Sequence, residues 1–135
     1  MRDLKRIILH HSGSLRDKTT MLMMRKWHMD KGWSDIGYHH VIEGDGRHVY
    51  GRPLEIVGAH CKGENEDSVG ICVTGDNTDI AQQWTMTQID KLLRVVDSYR
   101  FVFPGIEVSG HKDHRPTECP GLDAKNVLGD SIWQG

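Results

Sequence analysis

The sequence predicts an α/β fold in which helices flank a single central mixed β-sheet. Three features carry this prediction. Apolar runs of strand length recur along the chain, at residues 7–9, 41–42 and 69–73. Segments with helical period separate them, the clearest marked by Ile89, Leu92, Leu93, Val96 and Tyr99. The 135 residues suffice for one well-covered core and contain no repeat, low-complexity tract or linker, so 1–135 reads as one domain.

Taken in order, residues 6–11 end in two histidines and suit a buried central strand. A helix follows, with Thr19 or Thr20 as N-cap and Gly32 as the residue just past its end. Leu22, Met23 and Trp27 are expected to turn inward from it. Residues 38–42 and 48–50 flank Glu43-Gly44-Asp45-Gly46, whose Asp-Gly pair marks a hairpin turn. Residues 69–73 form another buried strand. Thr85 and Gln88 make a capping box that opens the second helix, and Pro104-Gly105 ends it. A last strand is expected at 106–110 and a closing helix at 123–133.

Composition removes several classes of function. Hydrophobic residues at 37% and charged residues at 27% describe a soluble domain, and no apolar run approaches the roughly 18 residues of a membrane span. A net charge of −2 argues against a nucleic-acid partner, because phosphate backbones are bound by basic surfaces. The N-terminus leads into a strand with neither a secretory apolar segment nor a cleavage site, which predicts a product that is cytoplasmic when synthesised. A monomer is expected. Three cysteines are an odd number, so Cys61 and Cys72 read as free thiols, with Cys72 buried in a strand.

Nine histidines in so short a chain direct attention to a metal. Candidate ligands stand at strand ends: one of His10 and His11, then His111, then Cys119. Imidazole and thiolate are zinc's preferred donors, and three protein ligands leave a fourth position open for catalysis. His10 and His11 point to opposite faces of a strand, so at most one can reach the ion. The loop from His111 to Cys119 contains Pro116 and can turn back on itself.

Four blocks, in order, resemble the type-2 N-acetylmuramoyl-L-alanine amidases, a family that includes phage lysozyme-type amidases, bacterial recycling amidases and animal peptidoglycan recognition proteins. They are Ile8-Leu9-His10-His11-Ser12; Trp27-His28 with Gly32-Trp33 and Asp35-Ile36-Gly37-Tyr38-His39; Gly58-Ala59-His60 with Asn65, Ser68, Val69, Gly70 and Ile71; and Ser109-Gly110-His111-Lys112-Asp113 with Pro116-Thr117-Glu118-Cys119-Pro120-Gly121. The resemblance implies the amidase and peptidoglycan-recognition fold and one zinc ion held by His10, His111 and Cys119. It implies Tyr38 and Thr117 as catalytic helpers and His60 as a residue lining the substrate groove. Thr117 departs from the phage lysozymes, which tend to carry lysine there, and matches the catalytic recognition proteins.

What the resemblance implies is a zinc hydrolase that cuts the lactyl–L-alanine amide of peptidoglycan, in the setting of a phage or prophage endolysin that reaches the cell wall after release. Its rivals are a cytosolic amidase recycling anhydro-muropeptides and a non-catalytic peptidoglycan-binding module. Some phage members of the family also have a second, regulatory role, which leaves a regulatory protein partner open.

The remaining residues have structural readings. His39 is expected to be a satisfied structural histidine, and His40 to share the face of Tyr38 by strand alternation. His28 is expected to pack or cap, His48 and His114 to lie on the surface, and His11 to belong to the core. Met21, Met23, Met24 and Met29 are ordinary helix methionines, and residues 63–68 form a solvated loop.

Overall fold

The computed structural model describes residues 2–128. Its strands are β1 (Arg6–His11), β2 (His40–Ile42), β3 (His48–Tyr50), β4 (Ser68–Val73) and β5 (Glu107–Gly110). They form one five-stranded sheet in the order β3-β2-β4-β1-β5. β1 lies between β4 and β5 and is parallel to both, β2 is parallel to β4, and β3 is antiparallel to β2. This is the mixed-sheet α/β architecture that the sequence predicts.

The helices are α1 (Met21–Asp30), α2 (Met86–Val102) and the short α3 (Ala124–Leu128). The β1-to-β2 connection runs one way along the sheet and the β4-to-β5 connection runs the other. Right-handed crossovers in opposite directions place their helices on opposite faces. Accordingly α2 covers the larger core, with Ile7, Leu9, Ile71, Leu92 and Val96 each fully buried. On the other face α1 covers a small cluster of Met24, Ile36, Val41 and Cys72, with Met21 and Tyr38 packed against it. Alternation along β1 sends Ile7 and Leu9 into the first layer and leaves His10 for the second.

The expected helix signals operate. Thr20 is the N-cap of α1, its side chain accepting from Met23 N, and Gly32 adopts φ +96° just past the helix end. The capping box of α2 closes in both directions between Thr85 and Gln88. Gly46, at φ +88°, turns the chain between β2 and β3. The closing helix is seen as Ala124–Leu128, and the rest of the predicted segment lies outside the described residues.

The inward face of α1 needs correction. Leu22, Met23 and Trp27 are exposed at 66%, 40% and 42%, while Met24 is 2% exposed. The patch beneath this ten-residue helix is so small that one methionine, with Met21 beside it, fills the contact. β2 also begins at His40 rather than at residue 38, which has consequences for the site.

Candidate metal centre and active site

The register of the parallel pair β1 and β5 sets Leu9 beside Gly110. His10 and His111, the next residues, therefore emerge side by side at the carboxyl ends of adjacent strands, where open α/β sheets place their ligands. Their ring centroids are 4.8 Å apart. The chain then makes a 3₁₀ turn over His111–Asp113, and Lys112 N donates to Cys119 O at 2.7 Å to close the loop. Pro120 packs onto Gly110, where a Cβ would come within 2.7 Å of the proline ring. Cys119 Sγ thus returns to 3.7 Å from His10 Nδ1.

One ligand atom from each of His10, His111 and Cys119 lies within 4.8 Å of the other two. The convergent group contains His10 and not His11. The His11 ring accepts from Asn77 N through Nδ1 at 3.2 Å, and Asn77 Nδ2 donates to Pro120 O at 2.9 Å. Half-buried rather than a core residue, His11 ties the 76–77 loop to β1 while that loop holds the segment carrying Cys119.

The donor set fits zinc: two imidazoles, one thiol and no carboxylate. Burial, reinforced by His60 and His111, holds His10 well below the usual histidine range, and burial also lowers His111, with Arg115 adding to it. Both rings are therefore neutral at pH 7 and offer lone pairs. Burial pushes the Cys119 thiol up to about 12. A thiolate there requires a compensating cation, and a bound metal provides one.

Tyr38 precedes β2, and its ring centroid lies 5.0 Å from that of His10 and 5.5 Å from that of His28. Burial, together with the thiols of Cys72 and Cys119, raises its phenol well above the usual value, so it remains a proton donor. The predicted sharing of a face by Tyr38 and His40 is not found, because regular pairing begins only at His40. His40 turns to the α2 side, where Nε2 meets Tyr99 OH and Nδ1 meets His48 Nε2 at 2.8 Å. His48 is consequently half-buried, and so is His114, which meets Ser109 Oγ at 2.7 Å; neither is a plain surface residue. His28 accepts from Gly37 N at 2.9 Å, a packing and capping role as expected.

Of the remaining candidates, His60 is 8% exposed and stands behind His10, its Nδ1 2.9 Å from His10 Nε2. One edge reaches a pocket of about 410 Å³, but most of the ring is inside the protein and not on an open groove floor. Thr117 is exposed, and its hydroxyl accepts from Cys119 N at 3.3 Å, ordering the loop that carries Cys119.

A family model described as N-acetylmuramoyl-L-alanine amidase matches residues 1–122. The chain belongs to this family. It is 36% identical over 103 residues to the endolysin of Enterobacteria phage K11, covering 74% of this chain and 68% of that protein. The structure resembles N-acetylmuramoyl-L-alanine amidase LysC from Clostridium intestinale URNW at a TM-score of 0.85 and 29% identity, over 96% of this chain and 86% of that one. It also resembles wild-type Drosophila PGRP-LB at a TM-score of 0.78 and 31% identity, over 89% and 76%.

For a member of this amidase family, three further residues bear on the site. Arg115 and Lys62 line the same pocket as His60, His111 and Trp33. Arg115 lies in the loop between His111 and Cys119, and a positive charge between two candidate ligands was the available signal for it. Cys72 meets the Tyr38 phenol. Its place was foreshadowed only by strand alternation, which puts it on the face of His10, its register partner.

Proposed function

We propose that this chain is a zinc-dependent N-acetylmuramoyl-L-alanine amidase that hydrolyses the lactyl–L-alanine amide of peptidoglycan as a phage or prophage endolysin. The observation that carries the reading is the convergence of His10, His111 and Cys119 at the carboxyl ends of neighbouring parallel strands. When bound, the zinc ion supplies Lewis acidity for the amide carbonyl and lowers the pKa of water toward about 7.

The protein's own groups supply the rest. Tyr38, protonated beside His10, donates a hydrogen bond to the oxygen that becomes negative as the amide is attacked. Thr117 holds the Cys119 loop and offers a neutral hydroxyl at the same edge. The pocket lined by Trp33, Asn65, Lys62 and Arg115 lies alongside and suits a polar, partly anionic peptide stem. The likeness to phage endolysins supports a protein made in the cytoplasm that meets its substrate after release.

The test is mass spectrometry of the products from purified sacculi, with and without a chelator and after zinc is restored. Release of free peptide stems is expected only with zinc, and stems should be absent with Cys119→Ser. Undiminished release by that variant would overturn the reading. A higher rate on soluble anhydro-muropeptides than on sacculi would replace the endolysin setting with a recycling role.

A further inference from the structure

Beneath His10 lies a second histidine whose position the fold has been built to accept. The His60 ring lies over β4 at Gly70, where a Cβ would come within 2.6 Å of His60 Cγ. It also abuts Gly58, where a Cβ would come within 2.8 Å of His60 Cδ2. Two glycines thus open a slot of ring width. Asn65 Oδ1 fixes the backbone at the same place, accepting from His60 N at 3.0 Å and Cys61 N at 2.9 Å. Within the slot, His60 Nδ1 is 2.9 Å from His10 Nε2, and His60 Nε2 is 3.2 Å from Ser68 Oγ. His10, His60 and Ser68 are all buried, at 1%, 8% and 0%.

The direction of this chain follows from its outer end. His10 presents Nδ1 to the Cys119 thiol, so Nδ1 is the atom that must carry a lone pair toward a metal. A neutral imidazole has one proton, which then sits on Nε2. That N–H donates to His60 Nδ1, which forces the His60 proton onto its own Nε2, and this in turn donates to Ser68 Oγ. Buried polar groups need such partners, and reversing any link would leave two protons facing each other.

We infer that His60, seconded by Ser68, is a positioning residue that fixes the tautomer and ring orientation of the metal ligand His10. The inference rests on the zinc centre proposed above and assigns His60 a task apart from lining the groove. Hydrogen-bond partners of metal-ligating histidines are typically worth 10- to 100-fold in metal affinity.

Zinc dissociation constants measured by chelator competition, beside thermal melts of the zinc-free proteins, test it. His60→Ala is expected to weaken zinc binding about 10- to 100-fold. His60→Asn, which restores an acceptor near Nδ1, should recover most of the loss. Ser68→Ala should cost less than His60→Ala, and Gly70→Ala, which pushes the ring out of its slot, should match it. A His60→Ala protein that melts lower yet binds zinc as tightly as the parent would reduce His60 to packing and overturn the inference.

Should His60→Ala fail to fold, long-range ¹H–¹⁵N spectra of the zinc-loaded parent decide. They should show His10 and His60 both protonated on Nε2, and a proton on His60 Nδ1 would overturn the inference. A parent that binds no zinc at all would instead bring down the metal-centre reading on which this one stands.

Discussion

The Tyr38 side chain separates binding from chemistry. It packs against His10 without being one of the three convergent donors, and burial keeps its phenol protonated. Tyr38→Phe should therefore bind zinc as the parent does while losing about 100- to 1000-fold in turnover on sacculi, the usual cost of one oxyanion donor. Equal turnover, or a parallel loss of zinc, would remove Tyr38 from the chemistry. At this scale the sequence was informative where a residue's chemistry is rare. The histidines at strand ends and the cysteine of the following loop stood out from the sequence alone. The choice of His10 over His11 was open to the resemblance and not to spacing, because alternation says that the two differ without saying which faces the ligand loop. The place of His60 was hidden for a different reason. Its partners are 50 residues back and 8 residues on, and its slot is made by the absence of side chains at Gly58 and Gly70.

Among the elements, α1 and α2 show when a hydrophobic pattern can be trusted. α2 spans 17 residues over the main core, and its predicted stripe is there, with Leu92, Val96 and Tyr99 buried and Ile89 and Leu93 packed at the edge. Its capping box was legible because it is local: Thr85 and Gln88 need only each other. Thr85→Ala should cost about 1 kcal/mol and lower the melting temperature by several degrees, about 3–6 °C. α1 has apolar residues on more than one side, and a short helix over a small patch can bury only one of them. Leu22→Lys is accordingly expected to change the unfolding free energy by less than about 0.5 kcal/mol in urea titrations. A loss of 2 kcal/mol or more would mean that α1 seats on a face other than that of Met24. Strand starts were less legible than helix caps, because pairing depends on a partner far along the chain. Tyr38 and His39 continue the apolar pattern of β2, yet regular pairing with β3 reaches only His40 opposite Tyr50.

Across the whole molecule, histidines outside the cluster of His10, His111 and Cys119 tie stability to pH. Which strands neighbour one another was not legible, since β1 pairs with strands some 60 and 100 residues further on. His39 and His40, where the chain enters β2 alongside β4, are buried at 1% and 6% exposure. His39 Nδ1 accepts from Gly70 N at 3.1 Å, so its proton is on Nε2, which donates to Ile56 O at 2.8 Å. The positive charge of Arg2 nearby opposes a second proton. His40 is held between Tyr99 and His48. Burial above all lowers His39 to about 4 and His40 to about 3. In the unfolded chain both titrate near 6.5, so below that pH the unfolded state takes up protons that the native state refuses. Their contribution is complete above about pH 6.5 and is lost as the pH falls toward the two native values, at about 1.4 kcal/mol per pH unit for each proton. Urea unfolding of the zinc-free protein between pH 6 and pH 4.5 should show stability falling with acid, and His40→Gln should flatten the slope by about one proton's worth. A slope identical in parent and variant would mean that His40 already carries its proton in the folded state, against the effect of its burial.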